Sequence, residues 1–185
     1  VETDLQEKVL INSKKDLLVY SYRVAGTVGI MMSKILKVEN KEALKGAIDL
    51  GIAMQLTNIA RDVNEDISRE RQYIKPDFFS IKEIIKESEI FYQKSFKSIS
   101  CIPIRSRFSV LVARRVYRKI GDYILKHENI ENYNKAGKIY VPIFRKLIET
   151  FLSILDFIKL LFVKEVNYDN HLNHNILEKE INFHE

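Results

Sequence analysis

Asn58, Asp62 and Asp66 stand four residues apart in the segment LGIAMQLTNIARDVNED. On an α-helix each step of four turns about 400°, so side chains at this spacing share a face. Two carboxylates and an amide oxygen on one face are hard oxygen ligands of the kind Mg²⁺ takes, and phosphate oxygens of a substrate can complete its octahedron. Mn²⁺ is able to serve at the same ligands. An isolated pair of aspartates at this spacing is ordinarily a solvated acidic helix face. Here the stripe lies in an otherwise apolar segment, with Leu56, Ile59 and Val63 on the opposite side, and Gln55 and Asn58 would be costly to bury without partners. Arg61 and Arg71 are near enough in sequence to give charge-assisted hydrogen bonds to a phosphate. The plainer role for Arg61 is a helix pair with Glu65, four residues on.

The elements that must position this stripe read as long helices. Only 6 Gly and 3 Pro interrupt the 185 residues, which disfavours a turn-rich β-sandwich and favours an all-α fold. Leu17 to Leu36 is mostly apolar, with Ala25, Gly26 and Gly29 embedded, and reads as a buried helix that something approaches closely. Glu39-Asn40-Lys41 is a short connection to a second helix from Glu42 to about Ile67, so the two should pack antiparallel. Arg69 to Phe79 reads as a loop. Ser80 is placed to cap the next helix, with Glu83 at capping-box spacing, and that helix runs toward Ser98. Another spans Ile104 to Lys126, and His127 to Tyr133 is polar and turn-like. Val141 to Val163 is apolar but interrupted by Arg145, Lys146, Glu149, Asp156 and Lys159, so it reads as a core or peripheral helix able to touch a bilayer surface rather than cross it. Residues 1–163 are thus expected to form one domain portion, and 164–185 a polar, loose tail.

Composition narrows the function classes. Hydrophobic residues make up 46% of the chain and charged ones 30%, the balance of a compact domain with a sizeable core. The single cysteine, Cys101, forms no internal disulfide and has no zinc-ligand companions, which fits a reducing cytoplasm. His127, His171, His174 and His184 lie in predicted loops or the tail and are expected to be solvated. A net charge of +5 suits anionic substrates or lipid surfaces. The basic residues are scattered among acids, without a zinc knuckle or an RNA-binding aromatic motif, so no nucleic-acid partner is expected. The opening residues are polar and begin at Val1 rather than Met, so no signal peptide is expected here and the chain reads as a piece of a longer protein.

YSYRVAGTVG, from Tyr20 to Gly29, and LGIAMQLTNIARDVNED, from Leu50 to Asp66, together resemble the two hallmark blocks of the phytoene and squalene synthase family, in order and at the usual separation. A weaker third block is VARRVYRKI, Val112 to Ile120. The resemblance implies an isoprenoid synthase helical bundle around an apolar cavity, in which Mg²⁺ bridges aspartates to prenyl diphosphates. It makes Asp62 and Asp66, with Asn58, the expected metal ligands, and sets Gln55 and Arg61 at the diphosphate. Tyr20 and Tyr117 resemble active-site tyrosines, Val24, Ala25, Val28 and Gly29 the wall of the prenyl channel, and Arg71 and Tyr73 the positions closing the second motif. Read as residues alone, the small side chains fit any close helix contact, and the tyrosines fit amphipathic core positions.

The implied reaction is head-to-head condensation of two geranylgeranyl diphosphates through a cyclopropyl diphosphate to phytoene, at a site cytoplasmic or peripheral to a membrane. Farnesyl diphosphate, giving a squalene-type product, is the alternative substrate, and a non-catalytic assembly factor the alternative class. Two departures stand out. Tyr73 is followed by Ile74 and Lys75 before Pro76, one residue more than the family spacing. The family's first aspartate-rich motif, which lies upstream of YSYRVAGTVG, is not found, so these 185 residues are expected to hold half of the metal cluster and to be inactive alone.

Overall fold

The computed structural model describes residues 9–168, 176–177 and 180. The first long apolar segment forms one nearly continuous helical rod in three parts. Helix α1, Lys14–Ser21, starts where the Ser13 side chain accepts a hydrogen bond from the Asp16 N–H. A π-helical turn follows over Tyr22–Gly26, and α2 spans Thr27–Ile35. Lys37 turns the chain at φ 59°. Asn40 then caps α3, Lys41–Arg61, by accepting from the Ala43 N–H at 3.0 Å.

The two rods are antiparallel, as the short connection predicts, and their approach is limited by backbone rather than side chains. A Cβ on Gly51 would lie 2.3 Å from the Ala25 carbonyl oxygen, and one on Gly29 would lie 2.3 Å from that of Ala47. Any larger residue at either position would hold the helices apart. On its other sides α3 packs against the later helices, burying Ile48, Ile52, Leu56 and Ile59. It is the central helix of the bundle.

The second helix does not run unbroken to Ile67. It stops at Arg61; Asp62, at φ −105° and ψ 16°, is a break, and α4 restarts over Val63–Ser68. The expected loop from Arg69 also contains a short strand. With β1 at Val9–Leu10 and β2 at Arg71–Gln72, a parallel two-residue ladder pairs Val9 with Arg71 and Leu10 with Gln72. Such a long-range pair leaves no trace in local periodicity.

Helix α5, Phe78–Ser95, is capped by Asp77, which accepts from the Ser80 N–H at 2.7 Å, so the cap sits three residues before the expected Ser80. A 3₁₀ turn, Lys97–Cys101, leads to α6, Ile104–Leu125. The segment read as turn-like after it is mostly helical: α7, Ile130–Ala136, begins at the Asn129 cap and ends at Gly137. His127 is not simply solvated, since its ring meets that of Tyr133 edge-on; His171, His174 and His184 lie outside the described residues.

Helix α8, Ile143–Leu161, is oriented opposite to a core helix. Its buried positions are Glu149, Ser153, Asp156 and Leu160, while Phe144, Leu147 and Phe151 face outward. Arg115 of α6 holds the inward carboxylates, donating to Glu149 at 2.9 Å and to Asp156 at 2.6 Å. The described residues of the expected loose tail are docked on the bundle. Tyr168 donates its hydroxyl to Asp49 and lies beneath Lys45, Leu177 is fully buried in the core around α3, and Glu180 pairs with Arg23 at 2.7 Å. The remaining tail residues lie outside the description. Among the described residues no helix is long and apolar enough to cross a membrane.

Candidate active site

Between the two antiparallel rods and the start of α6 lies a cavity of about 400 Å³. Its walls are almost wholly apolar. Val24, Ala25, Val28 and Gly29 line one side, Leu50, Gly51 and Met54 of α3 another, and Val110 and Ala113 of α6 a third. The small residues therefore serve two purposes: they permit the close helix contact, and they keep side-chain bulk out of the cavity. Gln55 and Asn58 bring polar groups to this wall. The Asn58 side-chain oxygen is buried and has no hydrogen-bond partner. A buried acceptor without a donor costs free energy on the order of 1–3 kcal/mol, so an arriving donor or cation would relieve it.

One turn beyond Asn58, charge collects at the break. Arg61 forks onto Asp62, with N–O distances of 2.8 and 2.5 Å. Lys138 approaches Asp62 to 3.7 Å and Glu65 to 2.7 Å. The pairing first considered for Arg61 is not the one formed: Glu65 pairs with Arg69 and Lys138 instead, because the break carries it away from α3's register. The hydrogen bond to Asp62 raises the Arg61 pKa further.

Asp66 lies apart from the cavity, in a small crevice with Arg71 and Tyr73. Burial, reinforced by the charges of Asp62 and Glu65, pushes its pKa up to about 6. Both causes disfavour the charged carboxylate and favour its protonated form. The expectation of one straight acidic stripe is thus corrected to a bent one, with Asn58 on the cavity wall, Asp62 at the break and Asp66 beyond it.

The expected tyrosines separate. Tyr20 stacks on Tyr73 with ring centroids 4.9 Å apart and donates its hydroxyl to Tyr73 at 3.0 Å, both rings being buried. This joins the first block to the loop closing the second, away from the cavity lining. Tyr117 is half-buried between the two larger core clusters, close enough to Arg61 to influence it electrostatically.

Two residues of this region escape sequence reasoning. Tyr133 is buried and donates its hydroxyl to the carbonyls of Ala60 at 3.0 Å and Arg61 at 2.7 Å. A straight helix would pair those carbonyls with residues four on, so the phenol takes over acceptors that the break exposes. Burial pushes its pKa up to about 12, keeping it a donor. Lys138 follows Gly137, which ends α7 at φ 64°, and a single Gly-Lys pair gives no sequence signal of reaching Asp62.

The residues present fit a divalent cation in part. Asn58 offers an orphaned oxygen, and Asp62 and Asp66 offer carboxylates. Among the described residues no three His, Cys, Asp or Glu side chains form a cluster able to hold a metal, so any ion would need ligands from elsewhere, a substrate phosphate included.

Helices packed around a deep apolar cavity, with an acidic helix end beside it, define the isoprenoid synthase architecture. A solved dehydrosqualene synthase shares this fold with a TM-score of 0.69 and 28% identity, over 86% of this chain and 61% of that one. Residues 1–79 match the family described as Squalene/phytoene synthase. A 15-cis-phytoene synthase from Pantoea ananas is 34% identical over 127 residues, covering 57% of this chain and 41% of that one. Another, from a Paracoccus species, is 36% identical over 129 residues, covering 60% and 42%. Over residues 1–79 the chain resembles the squalene/phytoene synthase family, and its similarity to phytoene synthases extends over 57–60% of its own length. It spans about two fifths of the length of these relatives.

Proposed function

We propose that the protein is a prenyltransferase that condenses two geranylgeranyl diphosphates head to head, through a cyclopropyl diphosphate, to phytoene. The observation that carries this reading is the orphaned Asn58 oxygen on the wall of an apolar cavity. Nothing in a structural core requires an unpaired amide there, whereas a site for a charged headgroup with an alkyl tail does. The phytoene synthases among the relatives favour the longer substrate.

In this reading Asn58, Asp62 and Asp66 would hold Mg²⁺, which when bound supplies positive charge for a departing diphosphate. Arg61, released from Asp62, is within one residue of the same place and would donate to the diphosphate in a forked contact. The apolar walls from Val24 to Gly29 and from Leu50 to Met54 seat the prenyl chain and exclude water from the carbocation. Gln55 orients the headgroup end. Tyr20 and Tyr73, joined by their hydroxyls, hold the first block against the loop that presents Arg71. Because substrate and product are lipids, peripheral contact with a membrane belongs to the proposal.

The solved dehydrosqualene synthase favours one second reading, in which farnesyl diphosphate is the substrate. Incubating the full-length polypeptide with Mg²⁺ and either diphosphate, with and without NADPH, and identifying the extracted hydrocarbon tests both. Phytoene from geranylgeranyl diphosphate is expected. A squalene-type product from farnesyl diphosphate alone would move the assignment to the second reading, and no hydrocarbon from either would refute both.

A further inference from the structure

The outward face of α8 is apolar along its whole length. Phe144, Leu147, Phe151, Leu155, Ile158 and Phe162 just past its end are all exposed, Phe151 by 77%. At 100° per residue these side chains span an arc narrower than about 120°, and the 19 residues of the helix extend it for about 28 Å. Such a continuous apolar strip on a surface marks an interaction site rather than scattered exposure.

The charges on α8 identify what covers it. Both of its acids, Glu149 and Asp156, are buried and held by Arg115, with Arg145 adding a contact to Glu149 at 3.4 Å. The two exposed charges on the helix are Lys146 and Lys159, which flank the apolar strip on opposite sides. A second copy packed antiparallel through this face would bring the lysines of one helix toward those of the other, with no exposed acid on either α8 to pair with them. An anionic lipid surface has the complementary character, since it takes up the apolar arc and neutralises the rim.

We infer that α8 is an in-plane membrane anchor, laying its phenylalanine and leucine face into the boundary of a bilayer carrying anionic headgroups. Arg115 is the device that turns the helix outward, because it satisfies the carboxylates only while they face α6. The inference deepens the lipid-substrate reading and rests on it for the purpose of the contact; its physical case is independent of any turnover.

Flotation of the full-length polypeptide with vesicles tests it in the absence of substrate, so that failure of binding and failure of catalysis are seen separately. Vesicles of phosphatidylcholine with phosphatidylglycerol are compared with phosphatidylcholine alone. The wild type should float with the anionic vesicles, and F151S/L155S, which alters outward positions only, should bind about tenfold or more weakly at unchanged helicity and melting temperature. K146E/K159E, with the apolar face intact, should lose the preference for anionic vesicles. No flotation by the wild type, equal binding by F151S/L155S, or a lipid-free dimer that F151S/L155S converts to monomer would each overturn the proposal.

Discussion

Arg115→Met should destabilise the protein by about 3 kcal/mol, and the two carboxylates it leaves behind should contribute unequally. The guanidinium bridges α6 to α8 through bonds of 2.9 Å to Glu149 and 2.6 Å to Asp156, whose side chains are 5% and 8% exposed. Removing one partner of a buried ion pair costs about 3–5 kcal/mol, chiefly the penalty of a stranded charge. The lower end applies because the Arg115 side chain is itself 23% exposed and water can reach part of the site. Glu149 keeps a second cation, Arg145 at 3.4 Å, whereas Asp156 has no second ion-pair partner among the described residues. R115M/D156N should therefore recover more than half of the loss, and R115M/E149Q clearly less. Equilibrium urea unfolding of the wild type and the three variants, treated as double-mutant cycles, measures both quantities. A cost for R115M below about 1 kcal/mol, or better rescue by E149Q than by D156N, would refute the reasoning.

Three further predictions follow from the site. In metal-free buffer, the Asp66 pKa lies at about 6 in the folded protein against an ordinary 3.8. The penalty of its charge is absent below the lower value, grows between the two and is complete above the higher. Discounted for a half-buried, screened group, D66N should stabilise by about 1 kcal/mol near pH 8 and by almost nothing near pH 3.5, as urea unfolding at the two pH values would show; with Mg²⁺ supplied, the same substitution in the full-length polypeptide should abolish hydrocarbon formation. Y133F removes both phenol bonds to the end of α3 and should cost about 1–2 kcal/mol while lowering turnover more than G137A, because it frees the break that aims Asp62; equal activities would contradict this. G51A places a methyl against the Ala25 carbonyl and should cost about 2–3 kcal/mol, measurable by thermal unfolding, whereas a neutral result would mean that the two rods separate easily.

What the sequence determined by itself was whatever depends on neighbours a few residues away. The scarcity of Gly and Pro and the long apolar segments made the helices legible, and the spacing of Asn58, Asp62 and Asp66 identified the acidic stripe. The small residues of YSYRVAGTVG announced a close contact, which Gly29 and Gly51 realise against backbone oxygens. Tertiary structure decided what distant groups impose on those elements. The break at Asp62 follows the Tyr133 hydroxyl, 72 residues from Arg61, and no local propensity encodes it. Most of all, the pattern of α8 showed two unlike faces without saying which was inside; Arg115, on another helix, drew the carboxylates inward and left the phenylalanines outside, because a buried charge must have a partner and an apolar face can wait for one.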